Sequence, residues 1–542
     1  MKPSSIFRDK AASPLIFAAI LAVGTTGYIL LSPKWTVPVF AWIAPACMLF
    51  YFRNANLRLK VLWFVLALLV SQLIASYGVA PFPLLVLAIL SIIETLKLFS
   101  VYLIDRWILK RSNAFITTLV YPAAFVTKEF LDIGSGGGVW SSIANTQYSF
   151  TWLAQLSSVT GLAGISFLIY WFAAVTVRSI ERYLNKEKFT KDVLIYAGVF
   201  AAVMIFGAMH FYLGRTDNKQ TVKIAGLTVP TISILENLYN DINHQTISID
   251  PKTSLVSKEF QQVNAALVPF IEDPNPSRFK NGYKALHILH DSLFALSQEA
   301  ASKGAKIIVW SEANAIMPEP MKDDFIQRGE AFAAKNKVYL LMALGVFQGG
   351  RITPEKMFLE NVAILVGPGG QILNVFHKNH PVPFAERSVP GDGKIPAITT
   401  SYGTISPSIC YDADIPSTMR QLGKNKVDIL LLPSGDWYDI APYHSYMAAF
   451  RGIENGCTVV RQVSGGLSLV TDYRGEIQMS FDFYKPGKKF WIADIKTGHT
   501  STIYSTIGDA FAYFCISITV AALLFLLIHL FIKKRTFGIF SE

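Results

Sequence analysis

Seven apolar stretches crowd the first 213 residues of this chain, and an eighth lies near its end. They cover residues 14–31, 37–52, 61–77, 80–104, 114–126, 153–177, 193–213 and 510–532. About 20 consecutive apolar residues cross the hydrocarbon core of a bilayer as a helix, since each residue adds about 1.5 Å. Inside lipid the backbone must bond to itself, which restricts such stretches to helices. The pattern therefore predicts a helical membrane domain of about eight spans. At 52% hydrophobic residues, the 542-residue chain has the composition this requires. Stretch 114–126, interrupted by Pro122, reads as a span or a re-entrant segment. The first stretch is not followed by a small-residue cleavage site and reads as a retained span.

The charges decide between these readings. With the N-terminus in the cytoplasm, seventeen basic residues fall on the inside: Lys2, Arg8 and Lys10; Arg53, Arg58 and Lys60; Arg106, Lys110 and Arg111; Arg178, Arg182, Lys186, Lys188 and Lys191; and Lys533, Lys534 and Arg535. Only Lys34, Lys128 and Arg215 fall outside. This positive-inside bias requires 114–126 to cross. It also accounts for most of the net charge of +11, and the basic residues form no single stripe of the kind that grips nucleic acid.

Three domains follow: 1–218, a seven-span membrane domain; 219–498, an outer domain; and 499–542, the last span with its tail. In the outer domain, 221–229 alternates as a strand. Residues 239–281 are polar and read as a loop or insertion. Residues 283–303 and 325–336 read as helices, and 306–310 and 338–346 as strands. Residues 360–366 and 372–377 form a hairpin, and 398–405 is one strand. After it, 427–432 is a strand, 443–455 a helix and 458–463 a strand, followed by a hairpin over 467–471 and 476–480. Strands alternating with helices suggest a layered α/β domain with mixed sheets. Of the four cysteines, Cys47 and Cys515 lie in spans; Cys410 and Cys457 lie in the outer domain without metal-site or disulfide spacing.

Three strand ends carry reactive side chains. Ile-Ile-Val-Trp runs into Ser311-Glu312. Val-Phe-His leads to Lys378 and a Pro-rich loop ending Pro-Phe-Ala-Glu386. Ser-Pro-Ser-Ile precedes Cys410-Tyr411-Asp412. A thiol at a strand-to-helix junction faces a cleft, where a lysine would stabilise thiolate and oxyanion and a glutamate would move the proton. Taken singly, Glu312 and Lys378 read as a solvated ion pair and Cys410 as a small buried residue. The three together read as a site.

These motifs resemble the nitrilase superfamily, whose triad is Glu-Lys-Cys, and in particular its membrane branch, the apolipoprotein N-acyltransferases. The resemblance implies an α-β-β-α sandwich for the outer domain, with Glu312, Lys378 and Cys410 as catalytic residues. It further implies substrate-binding or supporting roles for Asn361, Glu386, Tyr411, Asp412 and Trp437. Tyr411 would lend a backbone amide to the oxyanion, and Asp412 stands where the family usually has Glu. Arg451 with Glu454 would brace the fold. Ile316, Met317, Phe384 and Tyr438 are either acyl-chain guides or packing residues. The implied reaction is transfer of a fatty acyl group from a phospholipid, through a cysteine thioester, to the α-amino group of a diacylglyceryl-cysteine lipoprotein. The implied location is the periplasmic side of a bacterial inner membrane, with no metal or organic cofactor. The alternatives are a membrane-anchored amidase or hydrolase and a catalytically inactive scaffold. They draw on departures such as Gly435-Asp436, where the family usually has Asn-Asp.

Overall fold

The computed structural model describes residues 14–55, 58–112, 114–187, 191–214, 220–353, 355–487 and 489–538, with side chains to residue 530. Five of the basic residues in the charge argument, Lys2, Arg8, Lys10, Lys188 and Arg215, lie outside the described residues. So do the side chains of Lys533, Lys534 and Arg535. The chain forms two compact units. One contains Met1–Gly214 and Ile507–Glu542, and the other Arg215–Thr506.

The first unit is helical. Among the described residues, Arg58–Ser76, Leu84–Leu109, Leu162–Leu184, Asp192–Leu213 and Ala510–Leu530 are long and apolar enough to cross a membrane. Pro14–Leu30 and Phe40–Arg53 are apolar but shorter, at 17 and 14 residues. Stretch 114–126 is displaced from its expected position: a short 3-10 turn, Phe115–Leu119, leads into a helix over Val120–Asp132. Pro122 falls in the first turn of that helix, where no N–H has an intrahelical acceptor, so it does not break it. Lys128, expected in a loop, is consequently buried in the helix and paired with Glu94 and Asp132. Stretch 153–177 is also divided. Thr151–Ala154 and Ser157–Thr160 are short helices, and the long helix begins only after Gly161, which has φ +63°. Gly207 lets helix Asp192–Leu213 pass close to this region. A Cβ there would lie 1.9 Å from the Trp152 carbonyl oxygen.

The second unit is a two-sheet sandwich. Its strands are β1 (Gln220–Leu227), β2 (Ile307–Trp310), β3 (Ala315–Pro318), β4 (Tyr339–Phe347), β5 (Leu359–Val366), β6 (Ile372–His377), β7 (Ile398–Thr400), β8 (Gly403–Pro407), β9 (Ile429–Gly435), β10 (Thr458–Ser464), β11 (Leu467–Thr471), β12 (Ile477–Asp482) and β13 (Phe490–Thr497). One sheet runs β13-β1-β2-β4-β5-β6 with β3 beside β4, and the other β12-β11-β10-β9-β8-β7. Side-chain alternation divides the first sheet's apolar residues between two layers. Ile224, Val309, Leu341 and Leu365 pack with Ile405, Leu431 and Val460 between the sheets. Leu227, Trp310, Leu340 and Ile364 pack outward with helices Ile232–Asn243, Lys280–Ser302 and Lys322–Asn336. Helix Tyr443–Asn455 adjoins β10 and β11 of the second sheet. The result is the α-β-β-α sandwich.

The structure corrects three local readings. Residues 239–281 contain helical segments: Ile232–Asn243, whose end falls here, Lys258–Asn264 and Leu267–Glu272 bury Leu238, Val263, Phe270 and Ile271. These apolar residues are too widely spaced in a polar stretch to register as periodicity. Residues 398–405 form a hairpin, β7 and β8, turning through Ser401-Tyr402-Gly403. Strand β13, absent from the sequence reading, pairs antiparallel with β1 along its full length, Gln220 opposite Thr497. Arg451 and Glu454 brace the fold as expected, paired at 3.0 Å and fully buried.

Trp310 is fully buried, and its indole donates to Ser297 Oγ at 3.0 Å. Trp310→Ala should cost about 3–5 kcal/mol, by lost burial and the cavity left behind. Trp310→Phe should cost less than half as much. Urea unfolding followed by far-ultraviolet circular dichroism checks both values.

Candidate active site

Strand direction brings the site together. Strands β1, β2 and β4 are parallel, β5 runs against β4, and β6 runs against β5. The ends of β2 and β6 therefore lie at the same edge of their sheet, and the start of β5 lies there too. Glu312 follows β2, Lys378 follows β6, and Asn361 is the third residue of β5, opposite Gly345 of β4. In the second sheet, β8 and β9 are parallel, which places Cys410, just past β8, near Gly435 at the end of β9.

Lys378 Nζ donates to Glu312 Oε1 at 2.8 Å and to Glu386 Oε2 at 2.6 Å. Asn361 Nδ2 donates to the same two carboxylates, at 2.9 and 2.8 Å. Ser388 Oγ and the Val382 amide complete the shell of Glu386, at 2.8 and 3.2 Å. Glu312 also reaches across to the second sheet. Its amide donates to Ser434 O, and its Oε2 accepts from the Gly435 amide at 2.9 Å. Gly435 has a second role, since its carbonyl accepts from Cys410 Sγ at 3.7 Å. One residue thus links acid and thiol.

Cys410 is buried, with φ +44°, a strained conformation for a side-chain-bearing residue. It opens a 3-10 turn, Cys410–Asp414. Asp412 stabilises that turn by accepting from the Ile409 amide at 3.0 Å, the His380 amide at 2.8 Å and Ser408 Oγ at 3.3 Å. Tyr411 is buried beside it, and Trp437 is half-buried two residues past Gly435. Of the apolar residues expected near the site, Met317 is in the core, whereas Phe384 and Tyr438 are 85% and 47% exposed.

The electrostatics follow from burial and pairing. Burial disfavours the Lys378 cation, but Glu312 and Glu386 hold its pKa well above the usual lysine range. Burial also acts against the Glu386 carboxylate, but Lys378 draws its pKa below the usual range. For Cys410, burial and then the charge of Glu312 push the thiol well up, and Lys378 offsets only part of this. Lys378 thus favours the thiolate, as its charge implies, but by less than burial and Glu312 oppose it. Burial pushes Asp412 up to about 7.

The sequence reading passed over a second group. His444 bonds Asp414 through Nε2 and Asp436 through Nδ1, and Arg461 forks onto Asp436. A charged residue in the apolar strand Thr-Val-Val-Arg-Gln-Val was the signal available for it. Donor atoms of Cys410, Asp436 and His444 lie within 4.8 Å of one another. A metal ion there would compete with Arg461 for Asp436 and with the partner of one His444 nitrogen.

Lys378→Met leaves two carboxylates buried without their cation, at a cost of about 3–5 kcal/mol near pH 7. The pH dependence should also reverse. In the parent protein the depressed Glu386 pKa contributes stability above about pH 4.5, which is lost as pH falls through the folded-state value. In the variant the unpaired carboxylates take up a proton more readily when folded than unfolded, so stability rises as pH falls from 7 to 5. Melting temperatures of both proteins between pH 7 and pH 3 test the reversal.

Residues 287–501 match the carbon-nitrogen hydrolase family, and residues 25–175 match the apolipoprotein N-acyltransferase N-terminal domain. An apolipoprotein N-acyltransferase of Geobacter metallireducens is 24% identical over 417 residues, covering 72% of this chain and 70% of its own. Apolipoprotein N-acyltransferase 1 of Treponema denticola is 22% identical over 555 residues, covering 92% and 93%. Among solved structures, an amidase from Nesterenkonia sp. is 17% identical, with a TM-score of 0.35, covering 54% of this chain and 95% of its own. With one family's membrane domain and the other's sandwich joined in a single polypeptide, this chain belongs to the apolipoprotein N-acyltransferase family, within the carbon-nitrogen hydrolases.

Proposed function

We propose that the protein transfers a fatty acyl group from a phospholipid to the α-amino group of a diacylglyceryl-cysteine lipoprotein, with Cys410 as nucleophile. The relatives' names support the reaction, and the observation that carries it is the Glu312–Lys378–Gly435 arrangement at the thiol. A thiol pushed up by burial stays protonated at rest. On substrate binding, Glu312 takes its proton as Sγ attacks the ester carbonyl. The oxyanion that forms is stabilised by Lys378 and a backbone amide at Tyr411. When it collapses, the ester C–O bond breaks, and Glu312 returns the proton to the departing lysophospholipid alcohol. The acceptor amine then attacks the thioester and gives a proton to Glu312; the C–S bond breaks, and Glu312 returns that proton to the sulfur, leaving an amide and a free thiol.

Asn361 and Glu386 keep Lys378 and Glu312 in register, and Asp412 holds the turn that presents the sulfur. Trp437, Phe384 and Tyr438 line the approach for acyl chains. The charge bias puts the sandwich on the periplasmic side of a bacterial inner membrane. There, an active site tethered to spans at both ends meets two substrates that stay with the bilayer.

Incubation with phospholipid labelled in its acyl chain should place the label on Cys410, located by peptide mass spectrometry. Cys410→Ala should take none, and Glu312→Gln should slow labelling by about 10²–10⁴-fold. Label that persists on Cys410→Ala would sink the scheme. Free fatty acid formed in place of lipopeptide amide would favour hydrolysis over transfer.

A further inference from the structure

The turn that carries Cys410 ends at Asp414, whose carboxylate is buried. His444, on helix Tyr443–Asn455, places Nε2 3.1 and 3.2 Å from its two oxygens. The other ring nitrogen, Nδ1, lies 2.8 Å from Asp436 Oδ1. Asp436 immediately follows Gly435, the residue that bonds both the thiol and Glu312. A carboxylate only accepts, so a carboxylate at each nitrogen draws the ring toward its doubly protonated, positively charged form. Arg461 Nη2, a donor 2.9 Å from the same Nδ1, opposes that form, and the guanidinium forks onto Asp436 through Nη2 at 2.8 Å and Nη1 at 2.9 Å. Gly466 makes room for this, since a Cβ there would lie 2.8 Å from Asp436 Oδ2.

We propose that His444 is a positioning residue for Cys410: it ties the nucleophile's turn, through Asp414, to the end of β9, through Asp436, and keeps a buried cation close to the sulfur. The proposal rests on Cys410 being the nucleophile. With both nitrogens engaged, His444 does not take the thiol proton, which leaves that step to Glu312. Its charge lowers the cost of forming the thiolate, while its two hydrogen bonds hold Sγ against the Gly435 carbonyl. The charged groups facing it are Asp414 and Cys410 on the turn, Asp436 after β9 and Arg461 on β10. Burial works against the imidazolium, but Asp414 and Asp436 outweigh it and Arg461, bringing its pKa up to about 9.

The test uses the full-length protein in detergent, with iodoacetamide alkylation of Cys410 followed by peptide mass spectrometry between pH 6 and 10. In the parent protein, the rise of rate with pH should become shallower near pH 9, where His444 loses its proton. His444→Gln should move the profile to higher pH and lower the alkylation rate at pH 7.5 at least tenfold, without the break. His444→Asn should do the same. Thermal melts run in parallel identify a purely structural role: a lower melting temperature with an unchanged alkylation profile overturns the proposal. So does a His444→Gln profile within twofold of the parent's, or a parent profile with no break should both variants fail to fold. Acyl label on a residue other than Cys410 in the parent would instead overturn the proposed function.

Discussion

One ammonium group shared by two largely buried carboxylates holds the second unit's candidate site together. Lys378 is 1% exposed, a burial that only close pairing makes tolerable. Asn361 adds a neutral donor to each carboxylate, so neither relies on the lysine alone. The surplus negative charge has a consequence at the sulfur. With burial, the charge of Glu312 pushes the thiol's pKa up, and Lys378, shared with Glu386, offsets only part of this.

The backbone around that group is equally constrained. Glu312 joins the two sheets at their edge through the backbone of Ser434 and Gly435. Cys410 occupies a left-handed conformation that costs of order 1–3 kcal/mol, offset by the three donors converging on Asp412. The helical unit pairs its buried charges in the same way. Arg53 forks onto Asp105, and Arg178 meets Asp192 at 2.7 Å, each pair largely buried. Ionisable groups within spans are tolerated when they neutralise one another.

Much of this was legible from residue order. Apolar length marked the spans, and period-two and period-3.6 patterns marked most strands and helices of the sandwich, because burial on one face imposes the pattern directly. Glu312, Lys378 and Cys410 stood out because each ends a strand in a distinctive context. What failed to register has physical causes. Lys128 looked like a loop charge because its acidic partner Glu94 is 34 residues away in sequence. The helices between Ile232 and Glu272 are short, and they bury few residues each. Asp414, His444, Asp436 and Arg461 come from four elements, and no spacing rule connects them.

By itself, then, the sequence determined that this chain spans a membrane, that its polar middle folds as α/β layers, and which three side chains are candidates for the chemistry. Those properties are local, set by apolar length, periodicity and the residues at strand ends. Tertiary structure alone decided that Lys378 is shared rather than free, that Gly435 joins Glu312 to the thiol, and that His444, held between two carboxylates, lies within 4.8 Å of the sulfur. Each of these depends on groups far apart in the chain meeting where water is excluded, and there pairing and burial set the charge each group carries.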